Sequence, residues 1–207
     1  MEHVRLTPKE RRKQKIINAA EELIRQTGGT EFSMILLAER AGVSPTTPYN
    51  LFGTKGGILY ALLNQSADTV YVEARRPRGA TAVERVQDSA RGLAAVLVRD
   101  PSFYKPLYTF LLAIPDPVWR PAFTLRSQQY WRDALTGDGP AEIEDKELDH
   151  LANRLRFHAL GCVEVWVHGE LADRDFGPEM ARGVADLYRG WQAASSGGAD
   201  AMDGAKG

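Results

Sequence analysis

The sequence predicts an all-α protein. An N-terminal three-helix helix-turn-helix module leads into a helical-bundle domain, with about nine helices in all. Three observations carry this. Apolar residues recur with period 3.6 along most of the 207 residues. Period-2 runs of β-branched residues are missing. Helix caps and breakers punctuate the periodic segments where such helices should start and stop.

The first helix is expected from Pro8 to Thr27, with Ile16, Ala20, Leu23, Ile24 and Thr27 inward and Gly28-Gly29 as the stop. Ser33 caps a second, Met34–Ala41, closed by Gly42. A very short helix follows, and then a longer one from Ile58 to about Arg76, stopped by Pro77 and Gly79. Thr81 and Glu84 make a capping box for a helix reaching Arg99, which Asp100-Pro101 breaks. An apolar helix spans about Ser102 to Ala113. Asp116-Pro117, cap then proline, starts another that continues to about Leu135. Residues 144–171 form a long helix, Asp173–Gly177 a turn, and Pro178 opens the last helix, ending near Ala194. The domains predicted are 1–57 (helix-turn-helix), 58–195 (effector-binding and dimerisation) and 196–207, a polar tail expected to be disordered.

The short helix lies in AGVSPTTPYNLFGTKGG, residues 41–57, which holds two prolines three residues apart. With Ser44 as cap, Pro45 takes the first helical position at no loss. Pro48 then lacks the N–H that would meet the Ser44 carbonyl, and its ring crowds that carbonyl. Either the first turn is loosened, or the helix restarts with Thr47 as cap. Keeping Val43 and Phe52 in the core and Tyr49 outward favours the first. The prediction is a helix of two turns or fewer without a Pro48-to-Ser44 bond.

Composition bounds the function. No run of about 18 apolar residues exists to span a membrane, and the basic N-terminus has no apolar segment of the kind a secretory signal needs. Cys162 is the single cysteine, so no intrachain disulfide forms. A cytoplasmic protein is expected, with no membrane partner. Residues 1–56 hold nine Lys/Arg against six Asp/Glu, and the remainder 17 against 21. A basic head on an acidic body suits a polyanion. No nucleophile elbow, phosphate loop or HExxH motif occurs, and Cys162 sits mid-helix in an apolar run where a thiol is inert. The reading is therefore not an enzyme. No cofactor is expected. His158 and Cys162, at i and i+4, are too few for a metal, so none is expected either.

From Ser33 onward the chain resembles the tetracycline-repressor (TetR) family of transcriptional regulators. The matching residues are Ser33, Ala38-Glu39-Arg40-Ala41-Gly42-Val43-Ser44, Thr47, Tyr49, Phe52, Lys55 and Leu59. The resemblance implies a homodimer that binds a palindromic double-stranded DNA operator and responds to a small-molecule effector. It implies DNA contact by Ser33, Ser44, Thr46, Thr47, Tyr49, Asn50 and Lys55, with Thr46 and Thr47 in the groove and Tyr49 and Lys55 on phosphates. Three departures from the family pattern stand out: Leu51 where His or Tyr is frequent, Ile35-Leu36 where charge is usual, and Gly56-Gly57 at a helix start.

Residues 103–131 are rich in aromatics, which fit a core or the wall of a mostly apolar pocket. The resemblance implies an effector pocket here, with Tyr104, Tyr108, Trp119, Phe123, Tyr130 and His158 as candidate lining. It also implies a dimer interface on the last two helices, with Leu160, Val163, Val167, Leu187 and Trp191 as candidates. The rival reading is a helical interaction or small-molecule-binding module that has lost DNA binding.

Overall fold

The computed structural model describes residues 7–74, 79–114, 116–136 and 143–203, and among them it contains nine α-helices and no strand. These are α1 Pro8–Thr27, α2 Met34–Ala41, α3 Thr47–Phe52, α4 Lys55–Ala74, α5 Ala82–Arg99, α6 Pro101–Ala113, α7 Arg120–Thr136, α8 Asp145–Val167 and α9 Asp173–Asp203.

Local chemistry sets most of the ends. Thr7 caps α1 in a capping box with Glu10, whose carboxyl is held below its usual range by the Thr7 backbone and side-chain hydrogen bonds. The Thr81/Glu84 box opens α5 as predicted: the Thr81 amide donates to Glu84 at 3.0 Å and the Glu84 amide to Thr81 at 3.3 Å. Asp100 caps α6 through the Phe103 amide, 3.3 Å away.

The chain packs as two compact units. The first comprises Met1–Asp68 and Asp100–Thr124, and the second Thr69–Arg99 and Leu125–Gly207. The predicted boundary at residue 57 falls inside the first unit. Its core takes Ile16, Ala20, Leu23 and Ile24 of α1, Leu37 and Ala38 of α2, Phe52 of α3, Ile58, Leu59 and Leu62 of α4, and Leu107 and Leu111 of α6. Thr27, predicted inward, is exposed, and its hydroxyl donates back to the Leu23 carbonyl. In the second unit α9 packs against both α5 and α8. The α9 stripe is Phe176, Met180, Ala181, Val184 and Ala185, all buried and spaced for one helix face. Trp166 stacks on Phe176 at 4.8 Å and donates its indole N–H to Asp173 at 2.7 Å.

Several boundaries differ from the sequence reading. α4 starts at Lys55, three residues before Ile58, with Thr54 accepting the Gly57 amide. α7 starts at Arg120, because Asp116 spends its carboxylate on the Val118 and Trp119 amides in a preceding turn. α8 stops at Val167, where the Glu170 and Leu171 amides both fold back on the Val165 carbonyl. α9 begins five residues before Pro178, whose missing N–H costs only the bond to Arg174. α9 also runs on to Asp203, through most of the tail predicted to be disordered; Ala199, Ala201 and Met202 are good helix formers beside Gly197-Gly198. Residues 204–207 lie outside the described part.

Candidate nucleic-acid interface

The turn between α2 and α3 is built by glycine. Gly42 adopts φ 63°, a left-handed conformation cheap only without a Cβ, and the Val43 amide closes on the Ala38 carbonyl at 3.0 Å. At the other end of α2, Ser33 accepts the Leu36 amide at 3.1 Å, so its hydroxyl serves as the predicted cap.

The two prolines produce a compromise between the geometries considered from sequence. The Ser44 carbonyl accepts from the Thr47 amide at 2.9 Å, forming a tight turn over Pro45 and Thr46. The helix proper then starts at Thr47 with Pro48 in its first turn, where no N–H is required. It is six residues long and makes no Pro48-to-Ser44 bond, as predicted. The predicted cap is corrected: Ser44 Oγ bonds the hydroxyls of Thr47 at 2.7 Å and Thr46 at 3.3 Å rather than a backbone amide.

The resulting element has two faces. Pro48 and Phe52, four residues apart, are buried. Pro45, Thr46, Tyr49 and Asn50 are exposed, and Val43, Thr47 and Leu51 lie between. Tyr49 is 53% exposed, a large value for a tyrosine. On α2, Ile35 and Leu36 are also exposed, at 61% and 40%.

Phe52 anchors the helix. Its ring lies 6.4 Å from that of Trp119, tilted, and the Lys13 ammonium sits 5.6 Å from its centroid. Neither partner was legible from the residues around Phe52, since both come from distant parts of the chain. Behind it, Gly57 is required by space: a Cβ there would stand 2.4 Å from the Phe52 carbonyl oxygen and 3.0 Å from the Trp119 indole nitrogen. Thr54 caps this start of α4 by accepting the Gly57 amide at 3.0 Å.

Lys55 is engaged within the fold. Its ammonium donates to the Thr30 carbonyl at 3.0 Å and the Phe32 carbonyl at 3.4 Å, beside Glu31 at 3.7 Å and 5.6 Å from the Phe32 ring centroid. It therefore ties the α1–α2 loop to the first residue of α4. Along α1, Lys9, Arg11, Arg12 and Lys15 are exposed, so the basic character read in the sequence is on the surface.

The candidate effector residues divide between the units. In the first, Tyr108 and Phe123 are buried edge to face at 6.2 Å, Tyr104 lies edge-on to Phe103, and Trp119 packs on Phe52. In the second, Tyr130 stacks on Tyr71 at 4.6 Å and donates its hydroxyl to the Ser89 carbonyl at 2.6 Å. Burial raises the Tyr130 pKa well above the usual tyrosine value. His158 lies against Gly183, with Nε2 3.4 Å from Cys162 Sγ. Burial pushes that thiol to about 11, which keeps it protonated at neutral pH. A cavity of 580 Å³ in the first unit is walled by the Gly28–Glu31 loop, by α6 residues including Lys105 and Phe110, and by Ile114 just beyond α6. None of the six candidate residues lines it.

Of the dimer candidates, Leu160, Val167, Leu187 and Trp191 are partly exposed on α8 and α9. Val163 is 3% exposed within a single chain, so it belongs to the subunit's own core and is corrected accordingly. The apolar residue missed from sequence is Phe157, which is 59% exposed with the Arg156 guanidinium 4.5 Å from its ring centroid. Among the described residues no helix is long and apolar enough to cross a membrane.

Comparison with known proteins agrees with this geometry. Residues 16–62 match the profile of bacterial regulatory proteins of the tetR family. A TetR transcriptional regulator from Rhodococcus sp. RHA1 has a similar structure, with a TM-score of 0.71 at 19% identity over 86% of this chain and 94% of that one. Thermus thermophilus FadR, a TetR-family transcriptional repressor solved with lauroyl-CoA, gives 0.68 at 26% identity over 85% and 93%. A TetR-family regulator from Streptomyces coelicolor gives 0.65 at 16% identity over 85% and 79%. No curated protein sequence matches the chain.

Proposed function

We propose, from the premise that residues 16–62 are a tetR-family helix-turn-helix domain on a TetR-type regulator fold, that the protein is a ligand-responsive repressor. It binds a palindromic operator as a homodimer and is released by a small, mostly apolar effector. The observation that carries the reading is the two-faced α3. Pro48 and Phe52 lock it to the core while Tyr49 and Asn50, with Pro45 and Thr46 just ahead of the helix, are exposed.

Two such helices read half-sites about one DNA turn apart, roughly 34–36 Å. Tyr49 offers its hydroxyl to a phosphate, and Thr46 and Asn50 meet the groove. Ser33, Ser44 and Thr47 shape the element by capping and by hydroxyl bonding. Lys55 contributes by holding the α1–α2 loop against α4 rather than by touching phosphate. Phe157, Leu160, Val167, Leu187 and Trp191 form the dimer face. Tyr104, Tyr108, Trp119 and Phe123 remain candidate effector contacts in the first unit, and Tyr130 and His158 are separate candidates in the second. A fatty acyl chain, apolar throughout, is the first effector group to try, tested as lauroyl-CoA because the Thermus thermophilus relative was solved with it.

The rival reading, a helical module without DNA binding, draws on the inward Lys55 and the exposed Ile35-Leu36 pair. Fluorescence anisotropy of a labelled duplex from upstream of the protein's own gene separates the two. Saturable, steeply salt-dependent binding that lauroyl-CoA reverses supports the regulator. Binding no tighter than to random duplex at any salt concentration supports the module.

A further inference from the structure

The exposed face of the recognition element carries no charge. From Ala41 to Thr54 the chain has no Asp, Glu, Lys, Arg or His, and the flanking Lys55 is bonded to the Thr30 and Phe32 carbonyls. We infer that the operator half-site is read through thymine methyl groups and adenine, with no guanine required, by Pro45, Thr46 and Asn50. This rests on the regulator reading above and names the class of sequence that the site takes.

The chemistry follows from what each base pair shows in the major groove. Guanine presents two acceptors, N7 and O6, and is read by the paired donors of Arg or Lys. The Thr46, Tyr49 and Asn50 face has neither side chain. Thymine presents a methyl group, which apolar carbon recognises. Pro45 is exposed at the leading end of the element and offers ring carbon only. Thr46 is exposed beside it, with its hydroxyl bonded to Ser44 Oγ at 3.3 Å, while Ser44 Oγ also bonds Thr47 at 2.7 Å. Both bonds engage the hydroxyls among themselves, and the exposed Thr46 also carries a methyl group of the kind that packs on a thymine methyl. Asn50 lies one turn on from Thr46, joined to it by the Asn50-amide-to-Thr46-carbonyl bond at 3.0 Å, so both share the exposed face. Its carboxamide has the paired donor and acceptor that match adenine N7 and N6.

The test is selection of duplexes from a randomised pool by the full-length protein, then affinity measurements on the winning site. The inference expects A·T pairs fixed at the groove positions of each half-site. Replacing a contacted thymine by deoxyuridine, which removes only the methyl, should weaken binding about fourfold per methyl, the transfer value of one buried carbon. The same replacement outside the half-sites should change nothing. Asn50→Ala should relax the adenine preference at one position and leave the salt dependence as it was. Half-sites fixed as G·C, or equal affinity for the fully deoxyuridine-substituted site, would overturn the inference while the regulator reading stands. A pool from which no sequence is enriched would overturn both.

Discussion

Gly57→Ala should destabilise the protein while Gly56→Ala, one residue away, should stabilise it. At Gly57 the new Cβ stands 2.4 Å from the Phe52 carbonyl oxygen, and ordinary contact begins at 3.4 Å, so α3 or the start of α4 must move by about 1 Å. The obstacle is backbone and cannot rotate away. Overpacking of this kind costs about 1–3 kcal/mol, and the upper half of that range applies here. Alanine's helix propensity returns about 1 kcal/mol, for a net loss of about 1–2 kcal/mol. At Gly56 the nearest atoms are Thr54 Oγ1 at 3.4 Å and Asp116 Oδ2 and Phe110 Cζ at 3.8 Å, all side-chain groups at contact distance, and only the propensity gain remains. For a chain of this size each kcal/mol moves Tm by about 2–4 °C. Thermal melts should therefore show Gly57→Ala lower by about 2–8 °C and Gly56→Ala higher by about 2–4 °C. The displaced Phe52 carbonyl belongs to the last residue of α3. Gly57→Ala should therefore also weaken operator binding at a temperature where both variants are fully folded. Two melts shifted in the same direction would refute the steric argument.

Lys55→Met removes the ammonium from the Thr30 and Phe32 carbonyls, and urea unfolding should show a loss of about 1–2 kcal/mol once partial exposure is discounted. The slope of log affinity against log salt should stay as in the wild type; a slope flatter by about 1 would mean that Lys55 contacts a phosphate after all. Tyr130→Phe tests the buried hydroxyl. Burial raises its pKa in the folded state above the ordinary tyrosine value of about 10, so as pH rises through 10 the unfolded chain ionises first and stability falls. The phenylalanine variant should lose about 1 kcal/mol at neutral pH from the missing hydrogen bond to the Ser89 carbonyl and show an alkaline decline shallower by up to about 1.4 kcal/mol per pH unit. Identical alkaline slopes would contradict a buried, protonated phenol. Phe157→Glu places a charge on the exposed apolar face of α8 and should shift sedimentation from dimer towards monomer with little change in subunit stability; an unchanged sedimentation profile would remove Phe157 from the dimer face.

The sequence by itself determined what neighbouring residues settle among themselves. The Thr81/Glu84 box, the Ser33 cap, the Gly42 turn and the absence of a Pro48-to-Ser44 bond all depend on groups no more than four or five residues apart, and each was predicted and found. The helix count and the helix-turn-helix followed from the same short-range rules. What the tertiary structure decided depends on groups far apart in the chain. Nothing near Lys55 in the sequence shows that the Thr30 carbonyl, 25 residues away, lies within reach of its ammonium. Gly57 read as a soft helix start until the Phe52 carbonyl and Trp119 ring were placed against it. Val163 and Phe157 lie six residues apart on α8, and periodicity gives no sign that the first is buried within the chain while the second is 59% exposed. Short-range hydrogen bonding has a fixed geometry that sequence spacing encodes. Which side chains meet across helices depends on how each apolar face is covered, and only the packed chain holds that information.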